Sequence, residues 1–211
     1  MVSKIIKWVL LASFIFAAGY SLFGVVHFKW MYHSVNKPAA EFLISGNKSS
    51  NLNFIIFSTY PCGYCKDLYP VLEELKEVRK DIRFTTHPIG FSDGETKRLT
   101  QVALAAGLQG KFWEMHEALM EHPLPADQKD QITEDFIYET ASLYGLDMDQ
   151  FAMDRSSKSV EKIIQKANKS LSHVGLQSVP GFMINNQIYV VNGETIPSLK
   201  DLLELIKNAE R

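Results

Sequence analysis

Cysteine is nearly absent from this chain: there are two in 211 residues, Cys62 and Cys65. No second Cys or Cys/His pair stands at metal spacing elsewhere, so a tetrahedral zinc site would lack half of its four ligands. None of the 6 histidines pairs with a carboxylate at a known metal spacing, which leaves each to be read as structural or solvent-facing. Runs of like charge are missing too. With a formal net charge of −2, the chain gives no sign of a nucleic-acid partner or of a strongly acidic substrate. One long stretch lacks charge altogether, since no Asp, Glu, Lys or Arg occurs from Trp8 to Phe28. That matches the roughly 20 residues a helix needs to cross a bilayer core.

The uncharged stretch is longer than the apolar core of about 7–15 residues typical of a secretory signal peptide. It predicts an uncleaved signal anchor over residues 1–29, with cleavage near Ala17-Ala18-Gly19 as the competing reading. Trp8 at one end and Trp30 with Tyr32 at the other stand where interfacial aromatics are expected. Lys4, Lys7 and the α-amino group favour a cytoplasmic N-terminus, although Lys29 and Lys37 lie just beyond the run. Residues 30–50 then form a tether, and the rest of the chain is expected outside the cytoplasm, on a single-pass inner-membrane anchor.

What is present centres on Tyr60-Pro61-Cys62-Gly63-Tyr64-Cys65-Lys66. Upstream, Phe54-Ile55-Ile56-Phe57 is a short apolar run of buried-strand length, and downstream Leu68, Val71, Leu72, Leu75 and Val78 recur at helical spacing. The cysteines therefore close a strand-to-helix turn. Cys62 falls at the helix N-terminus, where unpaired N–H groups and the helix dipole favour thiolate over thiol. Cys65, one turn in, is placed to form a disulfide with it. A thiolate attacks disulfides and also leaves readily from a mixed disulfide, so the pattern points to redox chemistry rather than to metal binding or inert cysteines. In an exporting compartment, spare cysteines would be drawn into that chemistry, and this chain has none.

At 46% hydrophobic the chain has enough apolar residues for one good-sized core, or for a small domain with an insertion. Glu41-Phe42-Leu43-Ile44 is expected as a first short strand, and Asp81-Ile82-Arg83-Phe84-Thr85-Thr86 as a strand ended by His87-Pro88. Residues 92–172 keep a helical period, with segments Glu95 to Ala106, Lys111 to Glu121, Thr133 to Tyr144, Asp147 to Arg155, and one carrying Val160, Ile163, Ile164, Ala167 and Leu171. Gly181-Phe182-Met183-Ile184 and Gln187-Ile188-Tyr189-Val190-Val191 then flank Asn185-Asn186 as a hairpin, with Asn192-Gly193 as a further turn. Ser198 with Asp201 opens a last helix. The order is βαβ, helical insert, ββα, with residues 51–91 and 173–211 as the α/β part. Two N-x-S matches, at Asn47 and Asn168, are read as chance.

On these residues the chain resembles the thioredoxin-fold thiol:disulfide oxidoreductases of the DsbA type, in which a helical domain interrupts a thioredoxin-like α/β fold. The resemblance rests on Phe57 to Lys66, on Gly110-Lys111-Phe112-Trp113-Glu114-Met115-His116, and on Val179-Pro180-Gly181-Phe182 ahead of the hairpin. It implies that Cys62 and Cys65 are catalytic, that Pro180 is cis beside the disulfide, and that the Val179 backbone pairs with an extended substrate peptide. Pro61, Gly63 and Tyr64 would tune the pair. No cofactor beyond the disulfide is implied. The expected partners are unfolded or reduced exported polypeptides and a membrane or soluble redox protein that resets the disulfide.

Two positions depart from that family. Ile56 stands where many relatives carry a buried acid that accepts the proton of the second cysteine, and Tyr64 stands where strongly oxidising members have histidine. Gly63-Tyr64 is similar to the dipeptide of dimeric disulfide isomerases, so isomerase or reductase action is the alternative direction. A non-enzymatic holdase, or a copper-binding adaptor using Met183 as a soft ligand, are alternatives of another class. Phe112, Trp113 and Met115 are expected in the core of the insert rather than in a substrate groove.

Overall fold

The computed structural model describes residues 33–92, 94–123, 132–191 and 195–210, together with positions 16, 21 and 24. It divides into two compact units, Met1–Lys37 and Pro38–Arg211. The expected membrane anchor over 1–29 and the turn at Asn192-Gly193 lie outside the described residues, apart from those three positions. Among the described residues no helix is long and apolar enough to cross a membrane.

Among the described residues, the second unit is built on five strands in the order β1-β3-β2-β4-β5: β1 (Ile44–Gly46), β2 (Asn53–Ser58), β3 (Arg83–Pro88), β4 (Gly181–Ile184) and β5 (Gln187–Val190). All six residues of β2 are buried, as a central strand covered on both faces requires. It runs parallel to β3, with Phe54 opposite Phe84, and antiparallel to β4, with Phe54 opposite Ile184. Between β2 and β3 runs α1 (Gly63–Val78), and α7 (Leu199–Ala209) closes the chain. These two helices cover one face of the sheet, where Leu68, Leu72, Leu75, Leu202 and Ile206 pack on Phe54, Ile56, Phe84, Phe182 and Ile184. The even-numbered positions of β2 thus face α1, and the period of two turns Ile55 and Phe57 to the other face.

Among the described residues, five helices separate β3 from β4: α2 (Glu95–Leu108), α3 (Phe112–Glu121), α4 (Glu134–Leu143), α5 (Met148–Arg155) and α6 (Lys158–His173). Polar caps set their starts. Thr133, Asp147 and Ser157 accept the backbone N–H of Phe136, Gln150 and Val160, and Ser198 with Asp201 forms a full capping box on α7. The block has its own buried cluster, which includes Phe112 and Met115 as core residues. Asn168, one of the two N-x-S asparagines, clamps Gly90 by accepting its N–H at 3.3 Å and donating to its carbonyl at 2.8 Å.

Two strands are displaced by two residues or more from the sequence reading. Glu41–Leu43 is a 3-10 turn, not a strand, and β1 begins at Ile44. The turn lets Phe42 pack on Phe112, with ring centroids 5.6 Å apart, and over Gly107, where an added Cβ would lie 2.5 Å from the Phe42 ring. Long-range packing overrides the local strand preference there. β3 in turn runs two residues later than expected, through His87 and Pro88. Pro88 has no N–H to give, and at the strand end the next residue takes over, Ile89 N–H donating to the Ser58 carbonyl at 2.8 Å.

The Asn185-Asn186 turn forms as expected. Asn185 adopts φ 51°, a left-handed conformation that asparagine tolerates. Its side chain is fastened at both ends, accepting from Asn53 N–H and donating to the Ala209 carbonyl.

Candidate active site

The end of β2 delivers the chain to the helix start. Thr59 and Tyr60 are buried, Pro61 is half-buried, and Cys62 is the N-cap of α1. Cys62 Sγ accepts the Cys65 backbone N–H at 3.2 Å, and the Cys62 carbonyl accepts the Lys66 N–H at 3.0 Å. The first turn of α1 holds no acidic residue, so its positive end faces Cys62 unopposed by a local carboxylate. Cys62 and Cys65 are joined as a disulfide. Cys62 is half-buried, whereas Cys65 is only 3% exposed.

The second half of the sheet completes the site. Antiparallel pairing of β4 with β2 puts Gly181 opposite Phe57, which carries the residues just before Gly181 to the point where β2 gives way to the cysteine turn. The Val179–Pro180 peptide is cis. The Val179 carbonyl oxygen lies 3.9 Å from Cys62 Sγ, and Pro180 is buried in the wall of a cavity that Cys65 also lines. Gly63 opens onto a groove of about 720 Å³ between α1 and α3. Tyr64 is 50% exposed, the most open side chain of the cysteine turn's aromatic pair, whereas Tyr60 is buried. Met183 is fully buried opposite Ile55 in mid-sheet, on the face turned away from α1, so it is not available to the cysteine pair.

Three groups behind the disulfide escaped the sequence reading as parts of a site. Lys66 donates to the carbonyls of Leu119 at 2.6 Å, Met120 at 3.0 Å and His122 at 2.6 Å, fastening the last turn of α3 to the cysteine helix. Burial pushes its ammonium down to about 8, against the pull of three acceptors that favour the charged form. His116 lies in the wall of the cavity beneath Cys65, stacked on Phe112 and edge-on to Tyr60, Tyr69 and Trp113. Burial, with the nearby Lys76 charge adding to it, pushes the imidazole down to about 3. Burial likewise holds the Tyr60 phenol protonated. Its hydroxyl is hydrogen-bonded to His116 Nδ1 at 3.0 Å. Lys76, the third group, pairs with Glu73 at 2.6 Å and sits 4.7 Å over the Trp113 ring. A signal for His116 was present: it shares an apolar helical stripe with Phe112, Met115, Leu119 and Met120.

Comparison with known proteins agrees with this architecture. Residues 54–204 match the DSBA-like thioredoxin domain. The chain is similar in fold to a thioredoxin-like oxidoreductase from Silicibacter pomeroyi, at TM-score 0.71 and 21% identity over 83% of this chain and 95% of that one. It is similar also to the thiol-disulfide exchange protein α-DsbA2 of Wolbachia pipientis, at 0.68 and 17% over 87% and 97%, and to the oxidoreductase DsbA of Xylella fastidiosa, at 0.62 and 22% over 83% and 89%. A curated relative, the Na(+)/H(+) antiporter NhaA 3 of Salinispora tropica, is 23% identical over 150 residues, which are 68% of this chain and 22% of that protein. In NhaA 1 of Salinispora arenicola the match is 28% over 81 residues, 37% of this chain and 12% of that protein. The chain thus matches about a fifth or less of the length of these curated relatives. The family match begins inside β2 and ends inside α7, so it takes in both halves of the sheet and the helical block between them, and the chain belongs to the DSBA-like thioredoxin domain family.

Proposed function

We propose that the protein is a membrane-attached, extracytoplasmic thiol:disulfide oxidoreductase that forms or exchanges disulfides in exported polypeptides through Cys62 and Cys65. The observation that carries this reading is the asymmetry of the pair: an accessible sulfur at a helix N-cap, a buried one behind it, and the Val179 carbonyl 3.9 Å from the first. The redox couple is the disulfide itself. In the oxidising direction a substrate thiolate attacks Cys62 Sγ, the Cys62–Cys65 bond breaks, and Cys65 leaves as a thiolate that then takes up a proton. A second substrate thiolate attacks the substrate sulfur of the mixed disulfide, and Cys62 leaves as the second thiolate. Two electrons pass from substrate to protein, and reduction runs the same steps backwards. The nearness of the Val179 backbone, its carbonyl 3.9 Å from Cys62 Sγ, supports an extended substrate segment as its partner. A separate redox protein resets the pair.

The equilibrium potential against glutathione tests the reading and sets its direction. The N-terminal end of α1 favours the Cys62 thiolate, but Tyr64 adds no charge. The potential should therefore fall between those of strong oxidants and of thioredoxin, about −120 and −270 mV, with a Cys62 pKa between about 3.5 and 7. Tyr64→His should lower that pKa by about one unit and raise the potential by about 30 mV. A thiolate titration midpoint already near 3.5, unmoved by Tyr64→His, would show that another group does the work of the histidine. A pair that never equilibrates with glutathione would end the redox reading.

Membrane attachment rests on the uncharged run from Trp8 to Phe28 and on Lys4 and Lys7 before it. The full chain should sediment with membranes, with its disulfide domain accessible to an impermeant thiol reagent from the extracytoplasmic side. A mature N-terminus near Tyr20 in a soluble fraction would show a cleaved signal peptide instead.

A further inference from the structure

The two residues between the sulfurs, Gly63 and Tyr64, are exposed, and among the described residues no atom from another element lies within 4 Å of where a Cβ on Gly63 would stand. What holds the cysteine turn therefore sits on its flanks. Tyr60, two residues before Cys62, is buried in the cluster of the helical block, and its hydroxyl is hydrogen-bonded to His116 Nδ1 at 3.0 Å. Lys66 follows Cys65 directly. Its ammonium donates to the carbonyls of Leu119, Met120 and His122 at 2.6, 3.0 and 2.6 Å, at the C-terminal end of α3, where carbonyls lack intrahelical donors and carry the negative end of the helix dipole. Both flanks are thus tied to one helix. That helix is itself seated in the block by Phe112, Met115 and Leu119, all fully buried.

We propose that Tyr60 and Lys66 are positioning residues of the redox pair, a clamp from α3 that holds the cysteine turn in its N-capped form once the disulfide opens. The proposal rests on the thiol–disulfide exchange reading of the pair. In the oxidised chain the Cys62–Cys65 bond closes the turn covalently, so the clamp adds little to its shape. Reduction by two glutathione thiols removes that tie. The bond between Cys62 and Cys65 breaks, two electrons come from the glutathione sulfurs as they join in a disulfide, Cys65 keeps one of their two protons, and the other goes to solvent while Cys62 stays a thiolate. Only non-covalent contacts then keep the turn. The helix terminus favours the Cys62 thiolate only while Sγ stays where it accepts the Cys65 N–H, at 3.2 Å, and substrate meets it beside the Val179 carbonyl, 3.9 Å away, only if the flanks do not drift. A clamp that acts chiefly on the reduced chain stabilises that form over the oxidised one, which makes the pair a stronger oxidant. Contacts that merely joined the block to the sheet would stabilise both forms alike and leave the potential unmoved.

Equilibration of the full chain with glutathione buffers at pH 7 reads that difference. Tyr60→Phe removes one hydroxyl, changes no charge and keeps the ring, so the ratio of oxidised to reduced protein in a fixed buffer should rise about fivefold, the worth of one hydrogen bond. That is a potential about 20 mV more negative. Lys66→Met keeps the apolar stem but leaves three carbonyls without their donor, and should raise the ratio about tenfold or more. Urea unfolding of each variant should show the reduced form losing more stability than the oxidised form, by the same factor. Ser157→Ala removes the N-cap of α6 at a comparable cost to folding, and should leave the ratio within about twofold of native. Where the loss of three bonds unfolds Lys66→Met, Tyr60→Phe decides. A native ratio in either folded variant, or an equal rise in Ser157→Ala, would overturn the clamp alone. A native chain that never equilibrates with glutathione would overturn the exchange reading and the clamp with it.

Discussion

Cys62→Ser is expected to bring thiol–disulfide exchange down to the uncatalysed background, a loss of roughly 10⁴-fold or more by comparison with removal of other nucleophiles. The hydroxyl that remains is not ionised at neutral pH, and Cys65 cannot substitute, because it is only 3% exposed and one turn behind. Folding should survive the change, since serine is among the best N-cap residues and can still accept the N–H that Cys62 Sγ accepts from Cys65. Cys65→Ser should behave in the opposite way: it keeps the attacking sulfur, loses the resolving one, and accumulates mixed disulfides with substrate. Mass spectrometry of adducts formed with a reduced, unfolded protein and an oxidant separates the two outcomes. Adducts on Cys65 in the Cys62→Ser chain, with none on Cys62 in the Cys65→Ser chain, would reverse the roles. A Cys62→Ser chain that still suppresses aggregation of unfolded polypeptides would reveal a holdase activity beside the redox one.

Acid should weaken the fold through His116. Its imidazole is pushed from the ordinary 6.5 to about 3 in the folded chain, by burial first and by Lys76 second. Above pH 6.5 the ring is neutral in both the folded and unfolded states, and its contribution does not change. Between pH 6.5 and 3 the unfolded chain takes up a proton that the folded chain refuses, so stability falls as pH falls, by up to about 1.4 kcal/mol per unit. The total is of the order of several kcal/mol, against a typical domain stability of about 5–15 kcal/mol. Carboxylates such as Glu134, pushed down to about 2 by Arg155 and Arg98, lose their contribution in the same direction but at lower pH. Urea unfolding at pH 7, 6 and 5 therefore separates the histidine range from the carboxylate one, and comparison with a His116 variant assigns the share of His116. His116→Gln should be less stable than the native chain at pH 7, because the Tyr60 bond and the ring contacts are lost, yet its stability should fall less between pH 7 and 5. Parallel pH profiles for the two chains would show that His116 is not held neutral.

The features behind these outcomes were unequally legible in the residues. The cysteine turn was legible because it is a local object: an apolar run, a short turn and a helical period define it within about 25 residues, and the position of a sulfur at a helix N-terminus follows from the backbone alone. The helical block and the hairpin at Asn185-Asn186 were legible for the same reason, since caps, glycines and turn residues act over a few positions. Assignment of Val179 and Pro180 to the site came from family resemblance, and the register of β4 on β2 supplies its physical basis. Phe42 shows where local reading stops: its segment has the composition of a strand, but a ring pocket formed by Gly107 and Phe112, more than sixty residues on, turns it into a 3-10 helix.

By itself, the sequence determined the α/β-helical-α/β order, the pair Cys62 and Cys65, and which of the two sulfurs meets solvent, because each of these depends on periodicity and on contacts within one helical turn. Tertiary structure alone decided what stands behind the pair. Glu73 and Lys76 lie two and three turns along α1 from Cys65, His116 arrives on α3 from a separate helix, and Lys66 reaches the end of that same helix. Burial makes His116 neutral, and burial is a property of packed elements rather than of neighbouring residues.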